Sequence, residues 1–505
     1  MGQLTPTLIL GLIAAYFAVL IVISMITGKN ADNADFFISG KQSPWILVAI
    51  GMVGASLSGV TFISIPGVVG KVGKNMSFSY MQMVFGYLVG YFVIATVLMP
   101  LYYRLNLTSI YGYLEKRLGF YSYKTGAGFF LLSRLIGASF RLYLVAMVVQ
   151  KFVMEPFGVP FWGTVMMTII LIWVYTYKGG IKTIVWTDTL QTIAMLTAVT
   201  LTIYSIVHSL GGSLSGIYGM IKESGYAQMF FFKGGWDDPN NFFKQFISGI
   251  LIAIVMTGLD QDMMQKNLSC KTLKSAQKNM FTFSIVLVFA NILFLSLGAL
   301  LYIFAAKNGI EIPQKTDQLY PIIAIQYLSP AIGITFVIGL VAAAYSSADS
   351  ALTALTTSFC IDFLNFEKSK KTEQEKKKER LIVHIGFSVA LLLVILGFAS
   401  INNDAVITQL FIAAGYTYGP ILGMFAFGIF TKRKINDNMV IPVVLAAPII
   451  SFFLNKYSDV LFGGFQFGFL IVALNGLLTF IGLMMISTSG KDLEKGGASK
   501  EISVG

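Results

Sequence analysis

The sequence predicts an all-α polytopic membrane protein of about thirteen transmembrane helices, on three observations. Its 505 residues are 56% hydrophobic and only 12% charged, with a mean hydropathy of +0.75. Apolar runs of about twenty residues recur along the chain, the length that crosses a hydrocarbon core of roughly 30 Å. Lys and Arg fall almost wholly between those runs, where they set orientation, so the formal charge of +12 is not read as a nucleic-acid footprint. The spans are expected at about 6–27, 42–72, 76–103, 125–152, 159–177, 183–209, 242–265, 278–306, 331–363, 381–400, 405–430, 438–454 and 463–486.

Taken in order, the first run has no basic residue before it and no small-residue cleavage site after it, and is expected to be a retained extra helix within residues 1–30. Placing the N-terminus outside leaves 25 Lys and Arg in cytoplasmic segments and 9 in external ones; the reverse inverts that bias, so the C-terminus is predicted in the cytoplasm. The most basic loop, Glu367 to Arg380, is then internal, and is expected to be solvated and to face anionic lipid. Spans two to six and seven to eleven make two groups of five. An odd number per group turns the second against the first, which predicts an inverted repeat of residues 42–211 and 241–430 with a binding site where the two meet at the bilayer midplane. Two C-terminal helices and a cytoplasmic tail fill residues 431–505.

The second span carries the strongest local signal. Gly-Ala-Ser-Leu-Ser-Gly (Gly54 to Gly59) lies at its midpoint and Pro66-Gly67 further on. Glycine costs a helix interior roughly 1 kcal/mol against alanine, and an internal proline removes a backbone hydrogen bond. In hydrocarbon a freed carbonyl needs another partner, so unwound backbone is expected only where it lines a cavity or meets an ion. Carbonyls near Gly54 and Leu57 are therefore candidates for a cation, and the hydroxyls of Ser56, Ser58 and Thr61 for a solute. The plainer alternative is a kinked helix packed through small residues.

Further along, Ala343, Ser346, Ser347 and Ser350 fall at helical offsets of three, four and seven and share one face of the ninth span. Hydroxyls so grouped either bond helix to helix or face a ligand. Asp349 in the same stretch, and Asp188 about a turn and a half into the sixth span, are intramembrane acids, and such groups need a cation, a proton or a partner. Lys182 is the nearby candidate partner for Asp188. Neutral hydroxyl and carbonyl oxygens suit a hard monovalent ion such as sodium. Asp188, Asp349 and Ser350 are read either as a second ion shell or as a proton relay.

Several functions are argued against. Gly67-Val-Val-Gly-Lys71 lacks the spacing and the following Ser or Thr of a phosphate-binding loop. Cys270 and Cys360 lie near helix ends placed in the cytoplasm, so neither a disulfide nor a cysteine-rich metal site is expected. His208 and His384 have no nearby second ligand or nucleophile, and the chain is not expected to be an enzyme.

Together, the broken second span, Gly179-Gly-Ile-Lys with Trp186-Thr-Asp-Thr-Leu-Gln191, Asp260-Gln-Asp-Met-Met-Gln-Lys266 with Leu268 and Lys271, and Ala343 to Ser350 resemble the sodium:solute symporters over nearly the whole chain. That resemblance implies a leucine-transporter-like 5+5 inverted-repeat fold and sodium as the coupling ion. It implies a main sodium site made by carbonyls of Gly54, Leu57 and Ala343 with hydroxyls of Ser346 and Ser347. Similarity to the sialic acid cotransporters of that family implies a second sodium site at Asp188, Ser346, Asp349 and Ser350, with Asp349 standing where a serine is expected. It also implies solute contacts at Ser56, Ser58 and Thr61, at Phe78 and Gln82 of the third span, and at Arg134, whose guanidinium suits a carboxylate. Arg141, seven residues on, is expected to snorkel toward the outer end. The expected function is sodium-coupled uptake of a small polar organic solute, first a sialic-acid-like sugar acid, in a bacterial inner membrane. The alternatives are a neutral sugar, inositol or amino acid carrier, and a solute-sensing receptor of the same fold.

Overall fold

The computed structural model describes residues 5–29, 31–70, 76–401, 406–465 and 467–488. Its organising helices are α1 (Pro6–Thr27), α2 (Trp45–Val68), α3 (Tyr80–Arg104), α4 (Phe120–Phe157), α5 (Phe161–Thr176), α6 (Ile181–Ser209), α7 (Phe242–Gly258), α8 (Gln261–Leu268), α9 (Leu273–Lys307), α10 (Pro330–Phe363), α11 (Glu373–Ser400), α12 (Ile412–Phe430), α13 (Asp437–Lys456) and α14 (Gly468–Met485). Among the described residues eleven are long and apolar enough to cross a membrane, or twelve if α7 and α8, bent by 63° at a short break, are one span. The expected count of thirteen is not confirmed among the described residues: α5, apolar and 16 residues long, is shorter than the helices counted. The expected tail after the last span and the Lys71 end of the second span lie outside the described residues. Apart from a two-residue antiparallel ladder between Lys434–Ile435 and Ser487–Thr488, the regular structure described is helical.

Local chemistry starts and stops these helices. Pro330 opens α10 at the first helical position, where its missing N–H costs nothing. Asn241 caps α7 by accepting from the N–H groups of Phe243 (3.0 Å) and Lys244 (3.3 Å), and Asp260 caps α8 by accepting from that of Met263 at 3.2 Å. Between them a π-helical turn over Ile254–Gly258 ends in Leu259, at φ −109° and ψ 12°, which bends the chain.

α10 and α2 form the centre of the molecule, 78% and 72% buried over their apolar windows, whereas α11 and α13, at 22%, form its rim. α2 packs against α9, α6 and α10, and α10 packs most extensively on α6. Two glycines set those approaches. A Cβ at Gly54 would lie 2.2 Å from Thr192 Oγ1 of α6, and one at Gly59 would lie 2.4 Å from Val145 of α4. The basic segment expected to be solvated and to face anionic lipid is in part structural: Arg380 is buried, donates to Asn33 Oδ1 at 2.9 Å and lies 4.0 Å from the Phe36 ring. Cys270, beyond the end of α8, is buried, which pushes its thiol up to about 12.

Candidate functional site

α2 is interrupted at one residue. Ser58 has φ 33° and ψ 171°, inside an otherwise helical stretch, a conformation that costs a non-glycine residue of order 1–3 kcal/mol and is held only where its surroundings require it. The helix runs on through Pro66 to Val68, so of the two weak points in this span only the first breaks it. The Tyr302 hydroxyl donates to the carbonyl of Gly67 just beyond that proline.

Facing the break, α10 presents its row of hydroxyls. Ser347 Oγ donates to the Ala55 carbonyl at 3.3 Å, and Ser346 Oγ donates to Asp188 Oδ1 at 2.7 Å. A Cβ at Gly54 would lie 3.3 Å from Ser346 Oγ. Ala343 stands one turn before Ser347, and Leu57 is buried beside the break. Both serines spend their protons on other acceptors, which leaves their lone pairs for a hard cation. The α2 oxygen seen to meet this row belongs to Ala55, between the expected Gly54 and Leu57. A glycine marks where a helix weakens and does not say which neighbouring carbonyl a facing helix will meet.

The two intramembrane acids take different partners. Asp188 Oδ2 accepts from Lys266 Nζ at 2.8 Å and from Ser350 Oγ at 3.3 Å, all in a fully buried setting. Lys182, the partner expected from sequence proximity, pairs instead with Asp35 at 2.9 Å in a half-exposed contact. Asp349 Oδ2 accepts from the Tyr175 hydroxyl of α5 at 2.7 Å. Ser346 and Ser350 thus converge on Asp188, while Asp349 is engaged on the α5 side of α10.

Beside the break lies a cavity of about 80 Å³ lined by Ser56, Ser58 and Thr61 of α2, Tyr80, Tyr87 and Tyr91 of α3, Arg134 and Arg141 of α4, Thr257 of α7 and Asn291 of α9. Four of the six solute contacts expected from sequence face it. Phe78 and Gln82 do not line it. Gln82 is fully buried, donates to the Asn240 carbonyl at 2.9 Å and accepts from the Phe231 N–H at 3.0 Å, so it ties the segment between α6 and α7 to α3. Phe78 precedes α3, which begins at Tyr80.

Both arginines of α4 are buried, and they differ in company. Arg134 forms an ion pair with Asp262 through Nη2 and approaches Asp260 Oδ2 at 3.8 Å; the Tyr418 hydroxyl donates to that same Asp260 oxygen. Arg141 is 9% exposed. It lines the cavity and does not snorkel, and α4 packs closely on α2 here, with the Arg141 carbonyl 3.8 Å from where a Cβ on Gly59 would be.

Comparison with known proteins places the chain in a family. The family described as "Sodium:solute symporter family" matches residues 36–438. The sodium/sialic acid symporter NanT of Aliivibrio fischeri is 23% identical over 488 residues, covering 92% of this chain and 91% of that one. SiaT of Proteus mirabilis, another sodium/sialic acid symporter, is 24% identical and covers 88% of each chain. The structure of a substrate-bound, outward-open sodium-coupled sialic acid symporter superposes with a TM-score of 0.80 at 20% identity, over 94% of this chain and 97% of that one. The fold is thus the leucine-transporter-like helical architecture expected from sequence, in a multi-pass membrane protein. The chain belongs to the sodium:solute symporter family, and sodium is the ion to which its transport is coupled.

Proposed function

We propose that this symporter carries a small polar solute bearing a carboxylate, a sialic-acid-like sugar acid first among them, into the cell across a bacterial inner membrane. The N-terminus is then outside and the C-terminus cytoplasmic. The observation that carries this reading is one cavity that joins the hydroxyls of Ser56, Ser58 and Thr61 to two guanidinium groups. Hydroxyls at a helix break suit a polyol, and guanidinium suits a carboxylate.

The proposed main sodium shell draws on the carbonyls of Gly54, Leu57 and Ala343 and the hydroxyls of Ser346 and Ser347. The contact of Ser347 with the Ala55 carbonyl supports it, since it brings the two oxygen rows together. An ion held there ties α2 to α10, and the solute cavity is lined by the same broken segment of α2. Each ligand therefore orders part of the other's site, and each raises the other's affinity. A second sodium at Asp188, Ser346, Asp349 and Ser350 competes with the Lys266 ammonium for Asp188, and in this conformation Asp349 is turned to Tyr175.

Labelled sialic acid uptake into proteoliposomes under an imposed sodium gradient tests the proposal. Accumulation is expected with sodium and not with potassium. No accumulation of sialic acid, with neutral sugar taken up instead, moves the assignment to a neutral solute; binding without accumulation of any solute favours a receptor.

A further inference from the structure

The two cavity arginines are not equivalent, and the difference points to where a carboxylate sits. Arg134 already has its counter-charges, Asp262 in direct contact and Asp260 at 3.8 Å, both fully buried. Arg141, 9% exposed, makes no ion pair among the described residues; the Nε of each arginine is buried without a hydrogen-bond partner, so the counter-charge is what separates the two. A buried guanidinium without a counter-charge is expensive and is retained where a ligand supplies the missing anion. Arg134 and Arg141 share a helix face, seven residues and about 10 Å apart by the helical rise.

Position separates them further. The Arg141 main-chain carbonyl lies 3.8 Å from where a Cβ on Gly59 would be, so this arginine borders the interruption at Ser58. Arg134 lies toward the α7–α8 bend, held by the acids at the start of α8. Tyr80, with its hydroxyl 3.0 Å from that of Tyr87, lines the cavity with Arg141 and offers a neutral polar neighbour on the α3 side.

We propose that Arg141 is the seat of the solute carboxylate: it binds the anionic group beside the α2 break, while Arg134 is a positioning residue whose charge is spent on Asp262 and Asp260. This deepens the anionic-solute reading above and rests on it. In the bound state the carboxylate accepts from the guanidinium fork of Arg141, and the solute's hydroxyls reach Ser56, Ser58 and Thr61.

The test compares wild type, Arg141→Gln and Arg141→Lys, with sialic acid and its neutral methyl ester as probes, by thermal shift of the purified full-length protein and by proteoliposome uptake. Arg141→Gln is expected to raise the KM for sialic acid at least tenfold and to abolish the preference of acid over ester, with the sodium-induced thermal shift retained. An unchanged KM and preference in Arg141→Gln would overturn the proposal. If that variant does not fold, Arg141→Lys decides: it keeps the charge and loses the planar fork, so a KM for the acid raised at least threefold supports the proposal and a wild-type KM refutes it. Wild-type protein that neither binds nor transports sialic acid fails the functional reading itself; wild type that does so, with both variants unaffected, fails only the assignment to Arg141.

Discussion

The molecule breaks helical geometry at two places near its centre, and they are built from opposite materials. The interruption in α2 consists of glycine, alanine, serine and one leucine, carries no charge, and presents the Ala55 carbonyl to a hydroxyl of α10. The bend between α7 and α8 is flanked by Asp260, Asp262 and Lys266, all buried, and each of these charges meets an opposite charge or a hydroxyl: Asp262 and Asp260 meet Arg134, and Lys266 meets Asp188. A neutral break can exchange ligands cheaply, since each oxygen it offers costs little to expose for a moment. A charged break cannot, because removing one partner leaves a bare ion in a low-dielectric interior. The first is suited to cargo that comes and goes, the second to holding helices in place.

That contrast is broken most severely at Lys266. Lys266→Met strands Asp188, and we expect a loss of about 3–5 kcal/mol in stability; adding Asp188→Asn is expected to restore much of it, and a thermal-melt double-mutant cycle with no coupling would contradict the pairing. Next in size is Gly54→Ala, whose new methyl meets Thr192 Oγ1 at 2.2 Å. The overpacking cost is about 1–3 kcal/mol, and Thr192→Ala in the same chain should recover part of the melting temperature. Ser347→Ala is expected to alter ion use and leave the fold standing. It removes one proposed sodium ligand and should raise the sodium concentration for half-maximal uptake several-fold, roughly 1 kcal/mol, and unchanged sodium dependence in proteoliposomes would reject its place in the shell. The smallest effect belongs to Lys182→Gln. Its partner Asp35 and Lys182 itself are 21% and 37% exposed, so the melting temperature should fall by the equivalent of less than about 1 kcal/mol.

The neutral break was the more legible of the two from sequence. Glycine and hydroxyl residues announce a weak helix by their own chemistry, and the stripe Ala343, Ser346, Ser347 needs only the helical period to be seen on one face. The fold class followed from the lengths of apolar runs. The charged break was quoted as a motif, but its pairings were hidden: Lys266 and Asp188 are 78 residues apart, and Arg134 and Asp262 are 128 apart. Nothing local says which distant charge will be a neighbour, and nearness along the chain pointed wrongly to Lys182. The contacts of Gln82 were hidden for a similar reason. Its partners come from the segment between α6 and α7, 149 and 158 residues away, and no helical spacing encodes a loop folding back. Arg141 faces the cavity because of how α4 packs on α2 near Gly59, a contact that chain position alone does not encode.

Lys266 grips Asp188, and Asp188 in turn grips Ser346, so three helices are strung on a single line of polar contacts. Tilting the short arm of α8 would slacken that line and let the serine alcohol swing, changing the cradle proposed for sodium without any ligand touching it. Opening of the bent arm and release of the ion would then be two ends of one lever.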